Sequence, residues 1–203
     1  MAAITDKQAL ALWEDFHKGL MRGIEVDESL SRREIERMRA KLEADPVQWI
    51  KFFFPAYAKY EFAPFHIRAI RRVIANDEWY EVLSWSRELA KSTVAMFILM
   101  FLTLTRRKRF VALASATIDS AKRLLLPFKI NFESNPRIRQ FYGEQVTIGQ
   151  WTDSEFSCRC GAKFIALGAG SAPRGMRNEA IRPDILYFDD YDTDEDCRNP
   201  VTL

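Results

Sequence analysis

Residues 84–93, Ser84-Trp85-Ser86-Arg87-Glu88-Leu89-Ala90-Lys91-Ser92-Thr93, decide the reading of this chain. They follow the apolar pair Val82-Leu83 and open directly into Val94-Ala95-Met96-Phe97-Ile98-Leu99-Met100-Phe101. Strand, loop, then a helix beginning at Lys-Ser-Thr is the layout of a phosphate-binding loop. The first N–H groups of a helix have no partner within it. They are free to hold anionic oxygens, and a lysine among them adds a full positive charge. Glycines usually stand at both ends of such a loop, whereas Trp85 and Ala90 occupy those places here. The local pattern is incomplete, and its meaning depends on a second element far along the chain.

That element is Asp184-Ile185-Leu186-Tyr187-Phe188-Asp189-Asp190. Four apolar residues ending in two carboxylates read as a buried parallel strand that delivers acids to its C-terminal edge, where open α/β sheets bind ligands. A metal–nucleotide site needs such a pair. One carboxylate holds Mg²⁺, usually through water, and the other orients the attacking water. Alone, the stretch is equally an ordinary strand and an acidic turn. Together with the lysine loop it favours a nucleotide site.

Length and composition bound the possibilities. The chain has 203 residues, enough for one substantial core with a small appendage, and its apolar share of 48% fits a folded domain rather than a disordered one. The net charge of +2 does not announce a nucleic-acid partner. The basic clusters Arg106-Arg107-Lys108-Arg109 and Arg68 with Arg71-Arg72 read singly as solvated faces. Three cysteines are too few for a disulfide framework. Cys158 and Cys160 form a C-x-C pair, but zinc needs two further ligands, and His17 and His66 are remote in sequence. Reduced thiols are expected. The N-terminus lacks a secretory pattern, and the apolar run 94–104 is shorter than the ~20 residues of a membrane span. A soluble protein with a buried helix behind the loop is expected.

The first fifty residues read as helical: Leu10, Leu12, Trp13, Phe16, Leu20 and Met21 fall roughly on one face, and Ser31-Arg32-Arg33-Glu34 fits a capping box opening a second helix towards Asp45-Pro46. Residues 1–45 are therefore read as a helical appendage and 46–203 as the main domain. The aromatics of residues 46–64 are suited to stacking on bases, but at helical spacing they favour core. A helix is expected over 65–76.

From Trp79 onward strands and helices alternate. Strands are expected over 81–85, 110–115, 146–151, 155–159, 163–167 and 185–188, and helices over 92–105, 118–132 and 136–142. This order predicts an α/β fold with a mainly parallel central sheet flanked by helices. The three strands between 146 and 167 are joined by short turns and read as an antiparallel meander. Residues 190–196, Asp190-Tyr191-Asp192-Thr193-Asp194-Glu195-Asp196, are no calcium loop, since Glu195 stands where a glycine is required.

With these pieces in order, the chain resembles the ATPase domain of the large terminase subunit, the DNA-packaging motor of tailed bacteriophages. In that family the first loop glycine is typically absent, an arginine sits inside the loop, and Gly or Ala precedes Lys-Ser/Thr. Pro64-Phe65-His66 looks like the adenine-side motif. Leu113-Ala114-Ser115-Ala116-Thr117 looks like the segment ending the next strand, Gly168-Ala169-Gly170-Ser171-Ala172-Pro173-Arg174-Gly175-Met176-Arg177 like a Gly-Ser-x-Arg-Gly segment, and Arg182-Pro183-Asp184 through Asp190 like the acidic strand. The resemblance covers roughly residues 46–200 and implies a P-loop NTPase fold.

The resemblance also implies roles. ATP and Mg²⁺ would be the cofactors, with Phe65 and His66 on the adenine side and Ser86, Arg87, Glu88, Leu89, Ala90, Lys91, Ser92 and Thr93 forming the phosphate shell. Lys91 would hold the β- and γ-phosphates, Ser92 and Asp189 the metal, and Arg87 would sense the γ-phosphate. Asp190 stands where the family usually has a catalytic glutamate. Arg174 would reach a neighbouring subunit's site. Implied partners are double-stranded DNA, the portal, the small terminase subunit and further copies in a ring, with no membrane. The implied location is the host cytoplasm, transiently at the procapsid portal. Family members continue into a nuclease domain that this sequence lacks, so no DNA cleavage is expected. Two other readings stay open: a helicase-like DNA-dependent ATPase, and a nucleotide-binding assembly module of low turnover.

Overall fold

The computed structural model describes residues 18–19, 21, 23–170 and 182–192. Among the described residues six helices are complete: α1 Arg32–Glu43, α2 Pro46–Phe53, α3 Pro64–Ala75, α4 Lys91–Leu104, α5 Ile118–Ser134 and α6 Pro136–Tyr142. Five strands accompany them: β1 Phe110–Ser115, β2 Val146–Trp151, β3 Glu155–Cys158, β4 Lys163–Gly168 and β5 Ile185–Phe188. Of the first expected helix, only Lys18, Gly19 and Met21 are described, and they are helical. Among the described residues no helix is long and apolar enough to cross a membrane.

The strands form one sheet in the order β2-β3-β4-β1-β5. β1 runs parallel to β4 and to β5, while β2–β3 and β3–β4 are antiparallel. The fold is α/β, but the sheet is mixed rather than mainly parallel. The meander supplies three of the five strands, and strands joined by short turns can pair only antiparallel.

The strand expected over 81–85 is absent from the sheet. Its alternation survives as exposure, with Glu81, Leu83 and Trp85 half-buried and Val82 and Ser84 exposed. Side chains hold this segment to α3, so its backbone joins no ladder. The Glu81 carboxylate receives the Arg72 guanidinium and, at 2.7 Å, the Trp79 indole N–H, while Trp85 lies 4.9 Å from the Phe65 ring.

Helix α4 is apolar on every side and buried on every side: residues 94–104 are all buried. Such a helix belongs at the centre of a core. One sheet face, carrying Val111, Leu113, Phe156, Phe164 and Ala166, packs on α4, α5 and the aromatic helix α2 in a single cluster. The opposite face holds a smaller cluster of Phe110, Ala112 and Ile165. Trp49, Phe53 and Phe54 are fully buried, so these aromatics are core.

The N-terminal helical region is tied to the same body. Ser31 and Glu34 form the expected capping box on α1. Arg39 donates to Phe141 O at 3.3 Å, and the Tyr142 hydroxyl donates to Glu43 at 2.9 Å.

Candidate nucleotide site

The C-terminal ends of β1, β4 and β5 meet at one edge. Their ladders continue past the strands: Asp189 N–H donates to Ala114 O at 3.0 Å, Ala116 N–H to Asp190 O at 3.0 Å and Ala169 N–H to Ser115 O at 2.9 Å. Asp189 is half-buried, and Asp190 is exposed with φ at 44°. That left-handed backbone turns the chain immediately after Asp189. The expected delivery of two acids to the strand end is present, but β5 is the outermost strand of the sheet rather than a buried one, with Leu186 and Phe188 exposed.

Gly168 at the end of β4 keeps this edge closed. A Cβ there would lie 2.6 Å from Ile118 N and 3.2 Å from Thr117 C, both backbone atoms at the start of α5. Thr117 caps that helix, its hydroxyl accepting Ser120 N–H at 3.1 Å. Only glycine lets the helix start sit against the strand end.

The lysine loop reaches the edge from the other side. Arg87 and Glu88 form a turn, and residues 86–90 are exposed. Glu88 (φ 66°) and Ala90 (φ 55°, ψ 32°) both adopt the left-handed conformation. These are the positions where a glycine would relax the backbone, and each non-glycine costs about 1 kcal/mol or more. Ala90 thus performs the turn without a glycine. Lys91 is the first helical residue, Val94 N–H closes the first turn on Ala90 O at 2.9 Å, and no side chain caps the helix. The early amides keep their donor capacity.

Two side chains join loop and acid. Ser92 Oγ donates to Asp189 Oδ2 at 2.7 Å. Tyr187 shares the Asp189 face of β5, two residues earlier. Burial, then the Asp189 carboxylate, push its hydroxyl well above the usual phenol range, and it interacts with Ser92 as well as Asp189. Tyr187 was not foreseen as a site residue. The signal was available, because period-two alternation puts it on the same face as Asp189.

Phe65 and His66, expected on the adenine side, buttress the loop. His66 Nδ1 accepts Ala63 N–H at 3.2 Å, which leaves the ring proton on Nε2 to donate to Leu89 O at 3.0 Å. The ring stands 4.2 Å from Phe65 and 5.1 Å from Trp85. The tautomer and the loop carbonyl are fixed by one another.

Thr93 is half-buried behind Ser92. Arg174 and Arg177 lie outside the described residues. Asp184, which opens the acidic stretch, is structural: its carboxylate accepts Arg109 N–H and Phe110 N–H, each at 2.8 Å, and anchors the start of β1.

The donor set suits Mg²⁺. A hydroxyl and a carboxylate are hard oxygen ligands, and Mg²⁺ takes one or two protein groups, with water and phosphate completing its shell. Among the described residues no group of three or more His, Cys, Asp or Glu is disposed to hold a metal, so the softer or larger cations lack a cage here. Comparison with protein-family models and with curated proteins finds no match for this chain.

Proposed function

We propose that this chain binds Mg²⁺–ATP between residues 86–93 and Asp189 and hydrolyses it. In this reading it is the ATPase domain of a terminase-type motor that moves double-stranded DNA into a procapsid. The observation that carries the nucleotide reading is the Ser92–Asp189 hydrogen bond, which joins the loop to the acidic strand at the sheet edge where such ligands bind. The DNA-packaging reading rests on the ordered motifs of residues 46–200 and on a loop that works without glycine at Ala90.

The residues divide the work. Lys91 and the uncapped amides of α4 hold the phosphates, and phosphoryl transfer depends on such positioning and charge neutralisation rather than covalent chemistry. Ser92 and Asp189 would hold Mg²⁺, which when bound neutralises charge on the phosphate oxygens. Tyr187 keeps the Asp189 carboxylate aimed at Ser92. Asp190, at the sheet edge, would orient the attacking water, and Arg87, on the exposed turn, would sense the terminal phosphate. His66 keeps Leu89 O turned inward, so that the loop holds its shape.

Phosphate release from ATP by the wild type and by Lys91→Ala tests the reading. The account expects Mg²⁺-dependent turnover in the wild type, raised by double-stranded DNA and reduced about 10²-fold or more in the variant. Equal, negligible rates in both proteins would favour a low-turnover assembly module instead.

A further inference from the structure

At the opposite end of the sheet from Asp189, β3 and β4 are joined through Cys158-Arg159-Cys160-Gly161. Gly161 N–H donates to Cys158 O at 2.9 Å, and Cys158 N–H to Ala162 O at 2.7 Å. Gly161 takes φ 93°, which the turn requires. Gln145 fixes it from outside: its backbone O accepts Arg159 N–H at 3.0 Å and its side-chain oxygen accepts Cys160 N–H at 3.2 Å. Gln145 is itself held by Tyr142 O at 2.9 Å and Gly143 O at 3.0 Å. The turn is held by these hydrogen bonds, and both of its cysteines are free thiols.

Their environments differ. Cys158 is buried and Cys160 is half-buried. Cys158 and Cys160 stand two positions apart in a hydrogen-bonded turn, and with consecutive Cα atoms about 3.8 Å apart a bent pair of that spacing falls within the Cα range of about 4.4–6.8 Å that a disulfide spans. The thiols already interact with each other.

We propose that Cys158 and Cys160 form a reactive dithiol that peroxides convert to an intramolecular disulfide, with Cys160 attacking and Cys158 resolving. The Cys160 thiol ionises and its thiolate attacks the peroxide O–O bond, giving a sulfenic acid and hydroxide or alkoxide, which takes up the proton the thiol released to leave as water or alcohol. The Cys158 sulfur then attacks the sulfenic sulfur, the S–S bond forms, and hydroxide leaves with the thiol proton as water. Two thiols are oxidised by two electrons and one peroxide is reduced.

Electrostatics support this division. The Cys158 thiol, the Ala162 N–H and the Arg106 guanidinium draw Cys160 down to about 7, while burial pushes Cys158 well above the ordinary thiol range. The facing groups are Cys158 on β3 and Arg106 after α4. Arg159 turns away to donate to Val146 O at 3.0 Å, and Lys163 pairs with Glu155 at 3.1 Å. An attacking thiol with a pKa near ambient pH beside a buried resolving thiol is the arrangement that favours disulfide formation.

The dithiol and the nucleotide site lie at opposite strand ends, so this test is independent of ATP binding. Purified protein is treated with stoichiometric hydrogen peroxide, digested without reduction and analysed by mass spectrometry. The expected product is a 158–160 bridge lighter by two hydrogens, and Cys158→Ala is expected to leave a Cys160 sulfenic acid that dimedone traps. Iodoacetamide should alkylate Cys160 with a midpoint near pH 7, about tenfold faster at neutral pH than an ordinary thiol, and the midpoint should rise in Cys158→Ala. An unmodified pair, a bridge to Cys197 alone, or an alkylation midpoint of an ordinary thiol would overturn the proposal.

Discussion

Ser92 Oγ donates to Asp189 Oδ2 across 2.7 Å although 97 residues separate them. The contact is made by the partly exposed first turn of a helix that is buried from residue 94 onward and by the first residue beyond a sheet strand. Both are fixed by packing, so the two oxygens meet without a dedicated loop. A hydroxyl and a carboxylate held this close at a strand end are oxygen donors of the kind a hard cation takes.

Asp189→Asn keeps an acceptor for Ser92 and removes the charge. Its melting temperature should stay close to wild type, because an exposed hydrogen bond contributes only about 1 kcal/mol. Hydrolysis should fall about 10²-fold or more. Calorimetric melting and phosphate release measured on the same samples separate the two effects. A variant that loses fold and activity together would make Asp189 a structural residue.

Tyr187→Phe preserves the ring's packing and deletes the hydroxyl that interacts with Ser92 and Asp189. The half-saturating Mg²⁺ concentration for hydrolysis should rise several-fold while stability changes by about 1 kcal/mol or less. An unchanged Mg²⁺ requirement would remove Tyr187 from the site.

Ala90→Gly relaxes a left-handed residue at the helix start, whose φ is 55°. Denaturant unfolding should show a gain of about 1 kcal/mol, offset in part by the greater freedom of glycine in the unfolded chain. Ala90→Val should lose stability, since a β-branched side chain is worst suited to that backbone. Equal midpoints for all three proteins would contradict the conformation described for the loop.

Gly168→Ala places a methyl group 2.6 Å from Ile118 N. Backbone cannot step aside as a flexible side chain can, so a loss of about 1–3 kcal/mol is expected. The start of α5 should also exchange its amide protons faster than in the wild type. Wild-type stability and exchange in this variant would show that the approach is looser than described.

Much of the fold was legible because its elements declare themselves locally. The all-apolar run behind Lys91 can only be a central helix, and Cys160-Gly161-Ala162 can only join antiparallel strands. Ser31 and Glu34 announce their helix by reciprocal capping. What failed was the mainly parallel sheet, the burial of β5 and the strand before the loop. Alternation at 81–85 reports which side chains turn inward, but not whether the backbone finds a ladder partner, and here Arg72, Trp79 and Phe65 hold the segment through side chains instead. At the site, loop and carboxylates were readable as types and order. The bridging role of His66 to Leu89 O was not, since nothing in Pro64-Phe65-His66 reveals a carbonyl 23 positions away.

The central claim is that Lys91, Ser92 and Asp189 serve one bound metal–triphosphate. Isothermal titration of ATP into the wild type, Lys91→Ala and Asp189→Asn, each with and without Mg²⁺, tests it most directly. The account predicts one site per chain in the wild type that tightens with Mg²⁺, little binding to Lys91→Ala, and binding to Asp189→Asn that Mg²⁺ no longer improves. Wild-type affinity and full Mg²⁺ enhancement in both variants would contradict it.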